Sequence, residues 1–285
     1  MKSFARVVDN SKQIQVNKKI HHMRSKIRLI TWNLGTLTSK SRELVDIMKR
    51  RKINIACLQE TKWKGDKAKE IGEGYKLYFI GKERNRNGVG IIVDNVLKDK
   101  VVQVRRISDR LISVKLVLED DIINIISAYA PQVGLDERVK IQFLETLDNL
   151  LQEIPCTEKI YLGGDLNGHV GRSNTNFENV HGGYGFGDRN EMGNKILDFA
   201  SAYNLIIGNT CFKKKEEHLI TFKSGSSKSQ IDFFLFRKED RKTCKDCKVI
   251  PGESLASQHR MLVLDIWIKH KKKKTNKLQQ PKVCW

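Results

Sequence analysis

From residue 28 onward the chain is a succession of short apolar runs broken by turn residues. Runs with this punctuation predict strands. They fall at 28–33, 53–59, 75–80, 88–94, 111–118, 122–129, 159–163, 220–222, 231–236 and 261–266. Lys115 among the apolar residues of 111–118 predicts a sheet with one wet face, as in antiparallel pairing. Three segments carry helical spacing instead. In 39–52, Leu44, Ile47 and Met48 share a face, and Ser39 or Ser41 is placed to cap the start. In 136–153, Val139, Phe143, Leu147, Leu150 and Leu151 form one apolar side. The third helix is expected at 191–203. Many strands with few helices, at hairpin-like spacing, exclude a Rossmann fold and a TIM barrel. They suit two packed sheets flanked by helices.

Charge divides the chain further. The 285 residues are enough for a sizeable core, and their formal net charge is +20. Such a charge predicts a polyanionic partner such as nucleic acid or an anionic membrane surface. Residues 1–28 hold eight basic side chains and one acidic one, and residues 269–285 hold seven lysines and no acid. Flexible basic arms are therefore expected at 1–26 and 269–285, with a folded body at 27–268. A lysine run is ordinarily a solvated tail; its sharper reading is a phosphate-binding or nuclear-import patch. No apolar stretch approaches the roughly 18–20 residues of a membrane helix, and the basic start lacks the apolar core of a secretory signal. Cys57, Cys156, Cys211, Cys244, Cys247 and Cys284 are too sparse for a disulfide framework. These features predict a reduced, intracellular, nuclear protein with no membrane partner.

Candidate chemistry sits at the ends of the predicted strands. Asn33 ends the first, Glu60 follows the second, and Tyr129 ends the run 122–129. Asp165 and Asn167 follow 159–163, and His259 immediately precedes 261–266. Strand ends are where a rigid sheet presents side chains to a cleft. Taken singly, each of these residues reads as a cap or turn. Asp232 differs, because a carboxylate inside the apolar run 231–236 needs a partner. A buried Asp facing a His is the usual means of orienting an imidazole.

Six strings then matter together: TWN (31–33), LQET (58–61), YAP (129–131), GGDLN (163–167), SQID (229–232) and SQH (257–259). In their order and spacing the chain resembles the endonuclease/exonuclease/phosphatase superfamily over about 27–268. NRNGVGII (85–92), SAYAPQVG (127–134), GGDLNGHVG (163–171) and SLASQHRMLVLD (254–265) narrow the resemblance. They are similar to the apurinic-like endonuclease domain of RTE-type non-LTR retrotransposons and to craniofacial development protein 2-like host proteins. PKVCW (281–285) resembles the start of the linker leading into a reverse transcriptase, so the chain reads as an endonuclease portion whose parent element supplies the polymerase.

The resemblance implies a DNase I-like four-layer α/β sandwich, with two mixed sheets face to face and helices outside. It implies a Mg²⁺-dependent DNA endonuclease, Mn²⁺ substituting, that nicks one strand and leaves a 3′-hydroxyl. Glu60 would be the principal metal ligand, since a hard cation takes carboxylate oxygen. Asn33 would hold the metal's water shell or the scissile phosphate, and Tyr129 would donate to that phosphate. Asp165 and Asn167 would align and deprotonate the attacking water. His259, oriented by Asp232, would bind the phosphate or act as the base, and the choice between Asp165 and His259 stays open. Two positions depart from the pattern. Gly35 stands where many apurinic endonucleases place an acid, and Gln258 stands for the middle Asp of the usual Ser-Asp-His string. Gln258 would reach the metal only through its amide oxygen. Losing two carboxylates argues against tight or two-metal binding.

Two other functions compete. One is a domesticated or decayed copy that binds nucleic acid and cleaves poorly, supported by Gly35 and Gln258. The other is a phosphoesterase acting on a small ester such as an inositol phosphate or sphingomyelin. The Trp-Cys-Asp-Arg string of inositol 5-phosphatases is missing from SGSSKSQIDF (224–233). Among weaker signals, Cys244 and Cys247 read as a free reduced pair in a loop, and His21, His22 and His181 as arm or loop residues. Trp32 and Trp267 are expected in the core. GGYGFG (182–187) reads as a mobile surface loop, and the lysines at 213–215 as either a DNA-backbone contact or a solvated loop.

Overall fold

The computed structural model describes residues 23–119 and 121–270. Strand β1 (Met23–Asn33) sets the frame, because its alternate side chains enter different layers. Ile27 and Leu29 point into the space between two sheets, while Ile30 and Trp32 pack beneath helix α1 (Ser41–Arg51). The first sheet places β1 beside the parallel β2 (Ile55–Gln59), then β5 (Val89–Val93), β4 (Lys76–Ile80) and the short β3 (Ala68–Glu70). On its other side β1 pairs antiparallel with β15 (Met261–His270), which pairs with β14 (Cys244–Ile250).

The second sheet repeats the theme. Its parallel centre is β8 (Asp121–Tyr129) against β9 (Lys159–Asp165). It extends through β7 (Leu111–Leu118) and β6 (Val101–Ser108) on one side. On the other side lie β13 (Asp232–Arg237) and β10 (Leu205–Ile207). Helices α2 (Glu137–Gln152) and α3 (Glu191–Ala202) cover its outer face through Phe143, Leu147, Ile196 and Leu197. The order of layers is helix, sheet, sheet, helices, as expected. A hairpin of β11 (Phe222–Ser224) and β12 (Ser227–Ser229) stands apart from both sheets.

Several local expectations are corrected. Helix α1 is capped by neither serine: Lys40 holds that position without a side-chain bond, and Ser39 is left-handed at φ 64°. Val139 is 38% exposed, because α2 turns only Phe143, Leu147, Leu150 and Leu151 inward. Strand β9 continues through its glycine pair to Asp165, since the glycines serve close packing rather than a turn. A Cβ on Gly164 would lie 2.1 Å from the Ala128 carbonyl, and one on Gly163 would lie 2.7 Å from the Phe234 ring. The run 220–222 yields its strand slightly later, as half of the β11–β12 hairpin. Cys244 and Cys247 lie buried on β14, not in a loop, and all five described cysteines are free.

Trp267 is half-buried, whereas Trp32 is fully enclosed. Residues 182–187 are fastened rather than loose: Gly182 and Tyr184 donate to Thr210, and Arg172 donates to the Gly187 carbonyl. Lys214 is engaged by Asp246 at 2.5 Å. The expected arms also lose their inner ends to strand pairing, since Met23–Lys26 lie against Trp267–His270. The rest of both arms, with His21, His22, Cys284 and PKVCW, lies outside the described residues.

Candidate active site

The two parallel strand pairs end at the same place. Asn33 closes β1, Glu60 follows β2, Tyr129 closes β8 and Asp165 closes β9. Antiparallel β13 begins there, with Asp232 directly across from Asp165 in register. His259 lies two residues before β15, and its carbonyl accepts the Trp32 indole N–H at 3.1 Å. Topology alone thus gathers six of the predicted residues at one end of the sandwich. They surround a cleft of about 740 Å³. Asn33, Glu60, Asp165, Asn167, Gln258 and His259 line it, while Tyr129 and Asp232 stand behind.

One side of the cleft is a buried chain of polar groups. Asp232 Oδ2 meets His259 Nδ1 at 3.1 Å, and His259 Nε2 lies 3.8 Å from Asp165 Oδ2. The Asn33 amide donates to that same Asp165 oxygen at 3.0 Å, and the Asn167 N–H donates to Asp165 Oδ1 at 3.1 Å. The Asp232 backbone is fixed as well. Thr221 Oγ1 accepts its N–H at 3.0 Å, and Asn209 donates to its carbonyl at 2.9 Å. The Phe222 ring packs edge-on against the imidazole at 4.9 Å. Burial drives the Asp165 carboxyl up to about 7, and the nearby Asp232 charge adds to the rise. For His259, burial pushes downward, but the Asp232 charge and hydrogen bond, with Asp165 behind them, carry it up to about 9. The ligand atoms of Asp165, Asp232 and His259 all lie within 4.8 Å of one another.

The other side is more open. Glu60 Oε1 accepts the Tyr129 hydroxyl at 2.9 Å and the Asn33 amide at 3.0 Å. Burial and the Glu60 carboxylate raise the Tyr129 phenol strongly, which keeps it a donor. Its single proton is committed to Glu60 and not directed at a phosphate. Asn33 Oδ1 accepts the Gly35 N–H at 3.0 Å, and its amide nitrogen is spent on Glu60 and Asp165. Gln258 donates from its amide to Ser224 at 3.1 Å, which ties it to the hairpin. Of the three expected metal ligands, Asn33 has its oxygen engaged, whereas these hydrogen bonds leave Gln258 Oε1 and Glu60 Oε2 unoccupied, and only Glu60 Oε2 is a carboxylate oxygen. That donor fits a hard cation of the Mg²⁺ type, which commonly takes one or two carboxylates and keeps its remaining waters.

Several contributors were not foreseen. Lys62, the residue that follows the LQET string, lies 3.5 Å from Glu60 Oε2. Arg110 covers the Tyr129 ring at 4.8 Å and also bonds the Tyr129 carbonyl. Thr221 and Asn209 support Asp232 from segments that carried no motif. A lysine two residues after a candidate acid was a readable signal; the others are visible only once the chain is folded. His181 is buried and holds Gly171 and Gly183 in its own loop, in keeping with a structural histidine.

A cleft of this kind at one end of a four-layer sandwich defines a class, the hydrolytic nucleases and phosphatases. The chain belongs to the Endonuclease/Exonuclease/phosphatase family, whose sequence profile matches residues 30–254. It is 29% identical over 245 residues to craniofacial development protein 2 of Bos taurus, covering 85% of this chain and 41% of that protein. The chain therefore spans about two fifths of the length of that relative. Its fold is that of an AP endonuclease from Archaeoglobus fulgidus, with TM-score 0.65, 21% identity, and 84% and 98% of the two chains covered. It is also that of the endonuclease domain of TRAS1, a telomere-specific non-LTR retrotransposon. There the TM-score is 0.62 and the identity 16%, with 85% and 98% covered. Among the described residues no helix is long and apolar enough to cross a membrane.

Proposed function

We propose that this chain is a Mg²⁺-dependent DNA endonuclease that nicks one strand and leaves a 3′-hydroxyl, the chemistry of a retrotransposon-type nuclease. The observation that carries the reading is the unbroken chain Glu60–Asn33–Asp165–His259–Asp232, which joins an open carboxylate to a buried proton-handling group. Glu60 Oε2 would hold the cation, which when bound supplies positive charge to the phosphoryl group under attack. Asp165, held near neutrality by burial, accepts the proton of the attacking water, because a base works best with its pKa near the operating pH. The Asn167 and Asn33 bonds fix that carboxylate. His259, cationic at neutral pH through Asp232, binds a phosphate oxygen with Nε2 and is poor as a base. The reading assigns the base role to Asp165 and the anion-binding role to His259. Tyr129 orients Glu60. DNA is supported as substrate by the likeness to AP and retrotransposon endonucleases and by the +20 charge, which also suits a nuclear protein acting beside a reverse transcriptase.

The test is nicking of supercoiled plasmid in Mg²⁺ against EDTA, run beside phosphate release from a soluble inositol polyphosphate. Conversion to open circles in Mg²⁺ alone supports the endonuclease. Phosphate release at a comparable rate would replace it with a small-ester phosphatase. Binding of plasmid without nicking in either Mg²⁺ or Mn²⁺ would leave a nucleic-acid-binding relative that has lost catalysis.

A further inference from the structure

Glu60 is occupied unevenly. Tyr129 and Asn33 both bond to Oε1, whereas Oε2 faces the Lys62 ammonium at 3.5 Å. The oxygen left for a divalent cation is the one over which a lysine stands. The backbone enforces this neighbourhood. Glu60 and Lys62 are both left-handed, at φ 51° and 56°. That conformation is unfavourable for residues with a side chain and persists where its surroundings over-determine it. Here the Lys62 N–H donates to the Asn87 carbonyl at 2.9 Å, and its own carbonyl accepts the Asn85 N–H at 3.1 Å. The main chain is pinned, but the side chain is a flexible four-carbon stem, one third exposed, whose ammonium can reach other anions. Opposite, Gly35 offers no carboxylate to engage it, and a Cβ there would meet nothing within 4 Å. Glu60, Lys62 and Gly35 all face the cleft.

Resting on the endonuclease reading, we propose that Lys62 is a substrate-displaced placeholder for the divalent cation. In the free protein its ammonium neutralises Glu60 Oε2 and competes with the cation. A phosphodiester oxygen entering the cleft attracts the ammonium, and Oε2 is released. Cation and DNA then bind cooperatively, and Lys62 stays with the phosphate as a substrate contact. No covalent step is involved. A lysine that merely supported the fold would, on removal, weaken cation binding and cleavage alike. A placeholder gives opposite signs: tighter cation binding without DNA, and slower cleavage with it.

The experiment titrates Mn²⁺, followed by its electron paramagnetic resonance signal, into the full chain carrying Asp165→Asn to stop cleavage. Titrations are made with and without a short DNA duplex. Lys62→Gln is expected to bind Mn²⁺ about tenfold more tightly than its parent without DNA, the scale on which one neighbouring charge acts. It is also expected to lose the rise in affinity that the duplex gives the parent. Lys62→Met should behave as Lys62→Gln does, and Lys62→Arg as the parent does, with melting curves confirming that each is folded. Equal or weaker Mn²⁺ binding by both neutral variants overturns the proposal, as does no saturable Mn²⁺ binding by any form. Plasmid nicking by the unmutated chain separates the two readings. Nicking without the Mn²⁺ shift removes the placeholder alone, and the shift without nicking removes the endonuclease while cation competition at Glu60 stands.

Discussion

The space between the two sheets has two ends, and the same strands build both. Along β1 the inward positions run Ile27, Leu29, Thr31, Asn33, and along β2 they run Ile55, Cys57, Gln59. Along β8 they run Ile123, Ile125, Ser127, Tyr129, and along β9 Tyr161, Gly163, Asp165. Each series is apolar at one end and polar at the other. Burial does not distinguish the ends: Leu29, Thr31, Gln59 and Ser127 are all fully enclosed. Chemistry does. At the polar end the side chains are tied to one another within and across the sheets, as where Thr31 donates to Gln59 at 3.2 Å, Gln59 donates to Ser127 at 3.0 Å and Ser127 donates to the Leu58 carbonyl at 3.0 Å. Buried polar groups are tolerable on those terms. The apolar end contributes stability, and the polar end gives up some of it to hold a cleft in fixed geometry.

Breaking the polar end at its buried, raised carboxyl gives the largest effect. Asp165→Asn is expected to lower nicking about 10³-fold. Its melting temperature at pH 8 should hold or rise, because a buried carboxylate that the fold prefers protonated is removed. A fall in both would make Asp165 structural. The apolar end should answer in reverse. Leu264→Ala, fully buried between the sheets, is expected to cost about 3 kcal/mol in denaturant unfolding. The turnover of the protein that remains folded should be unchanged.

A pH profile sharpens the contrast within the cleft. Nicking should rise to about pH 7 as Asp165 loses its proton and fall above about pH 9 as His259 loses its charge. Both folded values lie above the ordinary ones. The stability each contributes is present at low pH and is lost as pH rises, through about 7 for Asp165 and about 9 for His259. Melting temperature should therefore decline from pH 6 to pH 10, and Asp232→Asn should flatten the upper part of that decline.

The smallest effect is expected beyond the apolar end. Strand β1 enters the fold at Met23, paired with His270, and reaches the cleft only at Asn33, the last of its 11 residues. At the usual rise that is about 35 Å. The last described residue, His270, thus lies at the end opposite the chemistry. Removing the lysine-rich 271–285 should weaken DNA affinity and flatten its salt dependence, yet leave cleavage of saturating DNA nearly intact. An unchanged salt slope, read by fluorescence anisotropy, would show those lysines to be solvated and idle.

Most of this architecture was legible beforehand, because apolar runs bounded by turns and period-2 alternation are local signals. The strands that escaped notice had weak ones. In β6, Gln103, Arg105 and Arg106 interrupt the apolar pattern, and β14 alternates charges with cysteines. Most candidate residues stood out at strand ends and Asp232 inside an apolar run, while their proposed roles come from the family resemblance. What could not be read was the direction of individual hydrogen bonds. Whether Tyr129 gives its proton to Glu60 or to a substrate, and whether the Gln258 amide nitrogen is free or tied to Ser224, depends on neighbours brought from distant segments. Lys62 belongs to the same group: its residue type was visible, but its place over Oε2 follows from the left-handed turn it shares with Glu60.

The most direct test is single-turnover nicking of supercoiled plasmid by the wild type, Glu60→Ala and His259→Ala, with Mg²⁺ raised stepwise and the new ends mapped. The account predicts nicks bearing 3′-hydroxyls from the wild type, partial recovery of Glu60→Ala at high Mg²⁺, and no recovery of His259→Ala at any concentration. Wild-type activity that survives EDTA, or equal nicking by Glu60→Ala at low Mg²⁺, would contradict it.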